Sequence, residues 1–125
     1  MSRILIVDDE PEIVDILAKF LSKSGFDVVT AYGGKEGIEI ITSGEKIDLA
    51  ILDMKMPEIS GADVLEVMHN TGKVVPVIIL SGSLGVQKNV EVVRKLGYNE
   101  DDILIKPVDL GDLLKAVKKK LPLDN

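Results

Sequence analysis

The chain has 125 residues, of which 46% are apolar and 29% charged, and its 21 acidic and 15 basic residues give a formal net charge of −6. This length and composition suit a single globular domain and exclude a disordered or fibrous chain, while the absence of cysteine excludes disulfides and thiolate chemistry and fits a cytoplasmic protein. The negative charge disfavours direct contact with nucleic acid and favours a cation or a basic partner.

Five short runs predict the strands of a sheet. They lie at residues 4–7, 27–31, 49–52, 77–80 and 103–105. All except the weaker second run are continuously apolar, which is typical of parallel strands covered on both faces. The first run ends at once in Asp8 and Asp9, so it is too short for a signal peptide or a membrane span, and we expect no export signal and no membrane anchor.

Segments of helical periodicity separate these runs. The clearest apolar stripes are Ile13, Leu17, Phe20 and Leu21 on the first segment, and Leu110, Leu113, Leu114, Val117 and Leu121 on the last. Pro11 suits a first helical turn, Gly25 a helix end and Asp109 an N-cap. Five strands alternating with five helices predict right-handed crossovers and a doubly wound α/β fold, flavodoxin-like with the parallel strand order 2-1-3-4-5. We expect one domain over residues 1–125.

Polar side chains close four of the five predicted strands. Asp8 and Asp9 follow the first strand, and Asp53, Ser81 and Lys106 close the third, fourth and fifth. In the order 2-1-3-4-5 the progression of strands across the sheet reverses between strands one and three. A crevice therefore opens where the three aspartates project together. Sheets of this kind bind their ligands at that edge.

Three neighbouring carboxylates repel one another unless their pKa values rise or a cation neutralises them. Oxygen ligands without His or Cys favour Mg²⁺ or Mn²⁺, and we expect Mg²⁺ with positions left for water and a phosphoryl oxygen. A carboxylate beside such a metal can act as a nucleophile on phosphorus, and Asp53 is the candidate. Lys106 would then neutralise one phosphoryl oxygen, and Ser81 would donate a hydrogen bond to another.

Four short motifs follow the predicted strands. They are Ile6-Val7-Asp8-Asp9-Glu10-Pro11 after the first, Asp53-Met54-Lys55-Met56-Pro57 with Gly61 after the third, Leu80-Ser81-Gly82 after the fourth, and Ile105-Lys106-Pro107 after the fifth. Together and in this order they resemble the receiver domains of bacterial response regulators, among them the chemotaxis-type single-domain regulators. The resemblance runs through nearly the whole chain.

The resemblance implies a role for each site residue. Asp53 would be the phospho-acceptor, Asp8 and Asp9 the metal acids, Ser81 the switch hydroxyl and Lys106 the lysine that faces the phosphate. Lys55 would lend Mg²⁺ its backbone carbonyl. The peptide between Lys106 and Pro107 would be cis, a form that costs little before proline.

The implied function is a phosphorylation switch. A phosphoryl group would pass from a sensor histidine kinase or a phosphotransfer protein to Asp53, and Ser81 would then move and shift the face of helix four, strand five and helix five. The domain would catalyse only its own phosphorylation and dephosphorylation, and a downstream protein target or effector domain would read its state. The chain as given ends at Asn125, so we expect no effector domain within it. The sequence leaves open whether phosphorylation also drives a homodimer.

Two features depart from the family pattern. Ile103 stands where the family commonly carries Tyr or Phe, whose rotation reports phosphorylation. The span from Ser81 to Lys106 is a few residues longer than usual, through residues 97–102. Tyr98 in this span is an alternative candidate for the aromatic side chain that reports phosphorylation. The sequence therefore predicts the familiar phosphorylation site with a remodelled output face.

Each candidate also has a purely structural interpretation. Asp8 and Asp9 would favour a helix N-terminus, Asp53 would fill a turn, Ser81 would cap the next helix, and Lys106 would lie at the surface. Their shared placement at one sheet edge favours the functional interpretation instead. His69 is interpreted as a solvated helix residue, and Lys115, Lys118, Lys119 and Lys120 as cations that face water at a helix end.

Two rival functions share parts of the pattern. A haloacid-dehalogenase-like phosphohydrolase also uses an aspartate nucleophile with Mg²⁺, but it needs a second acid two residues later, where this chain has Lys55. A flavin-binding flavodoxin module needs a loop rich in glycine and hydroxyl groups after strand one, where this chain has Asp8 and Asp9.

Overall fold

The computed structural model describes residues 2–82 and 85–121, so the expected domain limits at residues 1 and 125 lie outside the described residues. In this part of the chain five strands alternate with five α-helices. The strands are β1 (Arg3–Val7), β2 (Asp27–Ala31), β3 (Leu49–Asp53), β4 (Val77–Ser81) and β5 (Ile103–Ile105). The helices are α1 (Pro11–Lys23), α2 (Gly34–Thr42), α3 (Gly61–Asn70), α4 (Val86–Lys95) and α5 (Leu110–Lys120), and a short 3₁₀ helix, η1 (Glu100–Asp102), precedes β5.

The strands form one parallel sheet in the order β2-β1-β3-β4-β5. Ile4 of β1 lies opposite Val28 of β2 on one side and Leu49 of β3 on the other. The progression of strands across the sheet therefore reverses at β1, and the predicted flavodoxin-like α/β fold is confirmed. Among the described residues, no helix has both the length and the apolar character needed to cross a bilayer.

Two hydrophobic clusters cover the two faces of the sheet. Because successive side chains of a strand point to opposite faces, Leu5 and Val7 enter one cluster, whereas Ile4 and Ile6 enter the other. Buried residues of α2, α3 and α4 join the first cluster, and those of α1 and α5 join the second. This double cover explains why β1, β3 and β4 are continuously apolar.

The fifth strand does not follow that rule. The prediction that its apolar run is covered on both faces is wrong, since Ile105 is 52% exposed and Ile103 and Leu104 are only half-buried. The reason is its position: β5 pairs with β4 on one side and forms the edge of the sheet on the other.

Local signals set the helix ends as predicted. Pro11 opens α1, and Gly25, just past the end of that helix, has a φ of +99°, which glycine adopts without strain. The Asp109 side chain accepts a hydrogen bond from a backbone N–H in the first turn of α5. A reciprocal capping box of Ser60 and Asp63, which the sequence analysis did not identify, begins α3.

The lengthened segment before β5 is ordered around Asp102. This carboxylate is 9% exposed, accepts a hydrogen bond from the backbone N–H of Asn99 at 3.0 Å, and forms an ion pair with Lys120 at the end of α5. The prediction that Lys120 faces water is therefore wrong, whereas Lys115, Lys118 and Lys119 are exposed as predicted. The ion pair attaches η1 to the last turn of α5.

We expect Asp102→Ala to lower the free energy of unfolding by about 1–3 kcal/mol, because it leaves a half-buried ammonium and a backbone N–H without their partner. Asp101→Ala, in the same 3₁₀ turn but exposed, should change it by less than about 0.5 kcal/mol. Urea unfolding followed by circular dichroism measures both values. Equal effects of the two substitutions would contradict this account of the segment.

An acidic candidate site at the carboxyl edge of the sheet

Four strands deliver the predicted site residues to one edge of the sheet. Asp8 and Asp9 directly follow β1, Asp53 and Ser81 are the last residues of β3 and β4, and Lys106 directly follows β5. Parallel strands all end at the same edge, and the reversal of strand progression at β1 opens a crevice there. The structure thus brings the five residues to the edge where the sequence places them.

Three of these residues form a compact acidic cluster. One carboxylate oxygen from each of Asp8, Asp9 and Asp53 lies within 4.8 Å of the others. Asp8 and Asp53 are buried and Asp9 is half-buried. Three oxygen donors at this spacing, without a histidine or cysteine among them, are consistent with a site for Mg²⁺ or Mn²⁺.

Lys106 reaches into this cluster. Its Nζ lies 3.2 Å from Asp8 Oδ2, 3.2 Å from Asp53 Oδ2 and 3.7 Å from Glu10 Oε1. Burial lowers the pKa of Lys106, but the charges of Asp53 and Asp8 outweigh it and the net shift is upward. The peptide between Lys106 and Pro107 is cis, as predicted. This lysine is therefore a charge partner of the buried acids and not a surface lysine.

Asp53 has the most perturbed carboxyl group of the site. Burial and the negative charge of Asp8 raise its pKa from 3.8 to about 6, against the opposing effect of Lys106. The backbone N–H of Lys55 donates a hydrogen bond of 3.4 Å to Asp53 Oδ1. Ionising the carboxyl group of Asp53 therefore costs free energy, and a nearby cation would remove that cost.

The loop between β3 and α3 is packed tightly against the Asp53 backbone. Gly61 donates its N–H to the carbonyl of Met54 at 3.0 Å, and a Cβ on Gly61 would lie 2.5 Å from the carbonyl oxygen of Asp53. Only glycine permits this approach. The sequence analysis quoted Gly61 as part of a motif but did not identify its role in positioning Asp53. Lys55 lies in the same loop with an exposed side chain.

Ser81 does not touch the acids in this structure. Its hydroxyl is buried, accepts a hydrogen bond from Asn89 Nδ2 at 2.6 Å, and donates one to the carbonyl of Gly82 at 3.1 Å. Helix α4 begins five residues later with Gly85 as its N-cap, so Ser81 is not the cap of that helix. Sequence reasoning missed Asn89, since one amide on a polar helix carries no signal of its partner.

Residues 96–102 connect α4 to β5. Ile103 and Tyr98 are both half-buried and pack against the same hydrophobic cluster, which includes Val93 of α4. Burial and the charge of Asp102 raise the pKa of Tyr98. His69 is exposed on α3, as predicted.

The raised pKa of Asp53 predicts a pH dependence of stability when divalent cations are removed. Because the folded state holds the proton more tightly than the unfolded state, the contribution of Asp53 is present below about pH 4 and lost as the pH rises to about 6. Asp53→Asn should therefore raise the free energy of unfolding at pH 7.5 by about 1–2 kcal/mol, with a smaller gain at pH 4.5.

Urea unfolding in the presence of a chelator measures this difference. Asp101→Asn, which removes one exposed charge, controls for the change in net charge. A loss of stability at pH 7.5 in Asp53→Asn would contradict the electrostatic description of the site.

Comparison with known proteins gives the same family as the motifs at this edge of the sheet. The family model of the response regulator receiver domain matches residues 4–118. The uncharacterized transcriptional regulatory protein YcbL of Bacillus subtilis is 32% identical over 114 residues, which cover 91% of this chain and 48% of that protein. The chain spans about half the length of the curated relatives it matches.

Solved structures give the same result. A response regulator receiver domain protein from Clostridium thermocellum is 36% identical, with a TM-score of 0.82 and coverage of 96% of this chain and 94% of that one. The response regulator TrrA from Thermotoga maritima, solved in complex with Mg²⁺-BeF, is 32% identical, with a TM-score of 0.81 and coverage of 97% and 100%. The chain belongs to the family of response regulator receiver domains, which are signalling modules of two-component systems rather than catalytic enzymes.

Proposed function

We propose that this receiver domain takes a phosphoryl group onto Asp53 in a Mg²⁺-dependent reaction and thereby switches its binding to a partner protein. The observation that supports the proposal most directly is Lys106, whose ammonium lies 3.2 Å from both Asp8 and Asp53 beside the acidic cluster. One phosphoryl group at this edge would therefore lie within reach of the metal acids, the nucleophile and a cation for its oxygens.

Asp53 is the nucleophile in this proposal. One of its carboxylate oxygens forms a bond to phosphorus, the bond from phosphorus to the donor histidine nitrogen breaks, and that nitrogen keeps the electron pair and takes up a proton. The product is an aspartyl phosphate. Burial and Asp8 raise the pKa of Asp53 to about 6, and a cation bound beside it would lower that pKa and favour the ionised, nucleophilic form.

The metal residues of the proposal are Asp8, Asp9 and Asp53, with the backbone carbonyl of Lys55 as a further ligand. Mg²⁺, when bound, would neutralise these acids and draw charge from the phosphoryl oxygens. The oxygen-only donor set supports Mg²⁺, as does the related TrrA structure, which contains Mg²⁺-BeF. Mn²⁺ has the same ligand preference and would serve in vitro.

Lys106 and Ser81 complete the site. The ammonium of Lys106 would neutralise one phosphoryl oxygen, and it is held in place by its present contacts with Asp8 and Asp53. The hydroxyl of Ser81 would turn from Gly82 and donate its hydrogen bond to another phosphoryl oxygen. The added charge and acceptor oxygens would then bias the domain between two conformations.

The donor in this proposal is a sensor histidine kinase or a phosphotransfer protein, in keeping with membership of the response regulator family. The reader is a downstream protein target or an effector domain, and we place the receiver domain itself over residues 1–125. A phosphorylation-dependent homodimer is one form that the output can take. Net charge favours protein partners over direct contact with nucleic acid.

Incubation with Mg²⁺ and acetyl phosphate should give the wild-type chain one labile adduct of the mass of a phosphoryl group. Hydroxylamine should remove it, and Asp53→Asn should abolish it, because the proposal makes the carboxylate of Asp53 the nucleophile. Intact mass spectrometry measures the adduct, and Asp101→Asn is the matched control. An adduct that survives in Asp53→Asn would refute the assignment, and continuous turnover of a phosphate ester would instead favour a phosphohydrolase.

Mg²⁺ should raise the free energy of unfolding of the wild-type chain. The increase should be about 2.7 kcal/mol at a Mg²⁺ concentration one hundred times the dissociation constant. In Asp8→Ala or Asp9→Ala the Mg²⁺ affinity should fall at least about tenfold, because each loses one of the few carboxylate ligands. Thermal unfolding across a Mg²⁺ titration measures the affinity. An unchanged affinity in both variants would refute the metal site.

A further inference from the structure

The side chain of Asn89 connects helix α4 to the buried hydroxyl of Ser81. Asn89 Nδ2 donates a hydrogen bond of 2.6 Å to Ser81 Oγ, and Ser81 is 1% exposed. Asn89 itself is half-buried in the first half of α4. This contact joins a residue at the end of β4 to a helix that lies on the face of the sheet.

Among the α4 side chains that the structure describes, few hold the first half of the helix. Its N-cap is Gly85, which has no side chain to accept a hydrogen bond from the first turn, and that turn contains no acidic residue. Among the α4 side chains that the structure describes, Val93 near the C-terminal end is the buried one, with Val90 and Val92 half-buried. Of the described side chains, Val93 therefore anchors α4 in the core, and Asn89 attaches its first half to Ser81.

Open space lies beside this first half. A cavity of about 760 Å³ separates α4 from the loop that follows β3, with Asn89, Lys88 and Val92 on the helix side and Met54, Met56 and Ala62 opposite. Movement of the first turns of α4 into this space would not require a packed core to be rearranged. Cores resist such movement because their side chains interdigitate closely.

We propose that Asn89 is a positioning residue that couples Ser81 to α4. The inference rests on the proposed function, because the event that moves Ser81 is phosphorylation of Asp53. The hydroxyl of Ser81 donates a hydrogen bond to the carbonyl of Gly82, and its oxygen accepts one from the side-chain amide of Asn89. A phosphoryl oxygen competes for the hydroxyl proton alone, so the bond from Asn89 either follows Ser81 or breaks.

Both outcomes change the first half of α4. If the amide of Asn89 follows the hydroxyl, the helix is drawn towards the site, and if the bond breaks, its polar attachment is lost. Neither route uses an aromatic side chain on β5, where this chain has Ile103. The geometry thus gives this receiver a link from the phosphorylation site to α4 through one hydrogen bond.

The coupling is measured first in the unphosphorylated full chain by amide hydrogen exchange of residues 86–95. Asn89→Ala should speed exchange in α4 by about fivefold, because it removes a hydrogen bond to a buried partner. Adding Ser81→Ala to Asn89→Ala should speed it by less than about twofold more, because the two side chains share one interaction. Gln87→Ala, which removes an exposed amide from the same helix, should leave exchange unchanged.

The same exchange experiment is then repeated with acetyl phosphate and Mg²⁺, while intact mass spectrometry follows the adduct. In Asn89→Ala the adduct should form as in wild type, and the change that it causes in α4 exchange should fall at least about threefold. Asn89→Leu, which keeps the size but has no group that can form a hydrogen bond with Ser81, should behave like Asn89→Ala.

The outcomes separate this inference from the proposed function. If wild type forms no adduct at Asp53, the proposed function fails, and the exchange rates of the unphosphorylated variants still decide the coupling. If the adduct forms and α4 responds equally in wild type and Asn89→Ala, the coupling through Asn89 is refuted. Additive effects of Ser81→Ala and Asn89→Ala on α4 exchange would also refute it.

Discussion

The burial of two neighbouring carboxylates is the physical constraint on which the acidic site depends. Asp8 and Asp53 face each other with almost no exposure to water, and a charge in such a place is stabilised only by a partner charge or by hydrogen bonds. Lys106 supplies one partner charge, at 3.2 Å from each. Burial and the charge of Asp8 still raise the pKa of Asp53, and the acidic cluster is consistent with a site for a divalent cation.

The sheet holds Asp8 and Asp53 next to each other. β1 and β3 are inner strands, buried on both faces and hydrogen-bonded in register, so Asp8 and Asp53 are positioned at the ends of buried strands. Gly61 adds to this by letting the loop after β3 approach the Asp53 backbone more closely than any side chain would permit. The carboxylate of Asp53 is thus held beside Asp8, Asp9 and Lys106.

Burial decreases from the inner strands towards β5 and α4 among the described residues. β5 is a short edge strand with Ile105 exposed, and α4 is anchored in the core through its C-terminal half. Elements with few buried contacts are those that change conformation at low cost, so they suit the readout of a switch. The ion pair of Asp102 with Lys120 opposes this trend, since it ties the lengthened segment before β5 to α5.

Residue pattern alone determined the fold class, the strand order and the edge at which the site lies. Continuous apolar runs require strands covered on both faces, and such strands joined through helices have few topologies. Parallel strands end at one edge, so the polar residues that close them lie along that edge. Pro11, Gly25 and Asp109 act through neighbouring residues in the chain, and their effects were readable for the same reason.

Only the tertiary structure decided which groups touch across that edge. Lys106 lies 98 residues from Asp8 in the chain, and its distance from each acid depends on the packing of the whole sheet. The same holds for the hydrogen bond of Asn89 to Ser81, the ion pair of Lys120 and the exposure of β5. Local sequence reports the preferences of neighbouring residues, whereas contacts between distant elements depend on their packing, which periodicity does not encode.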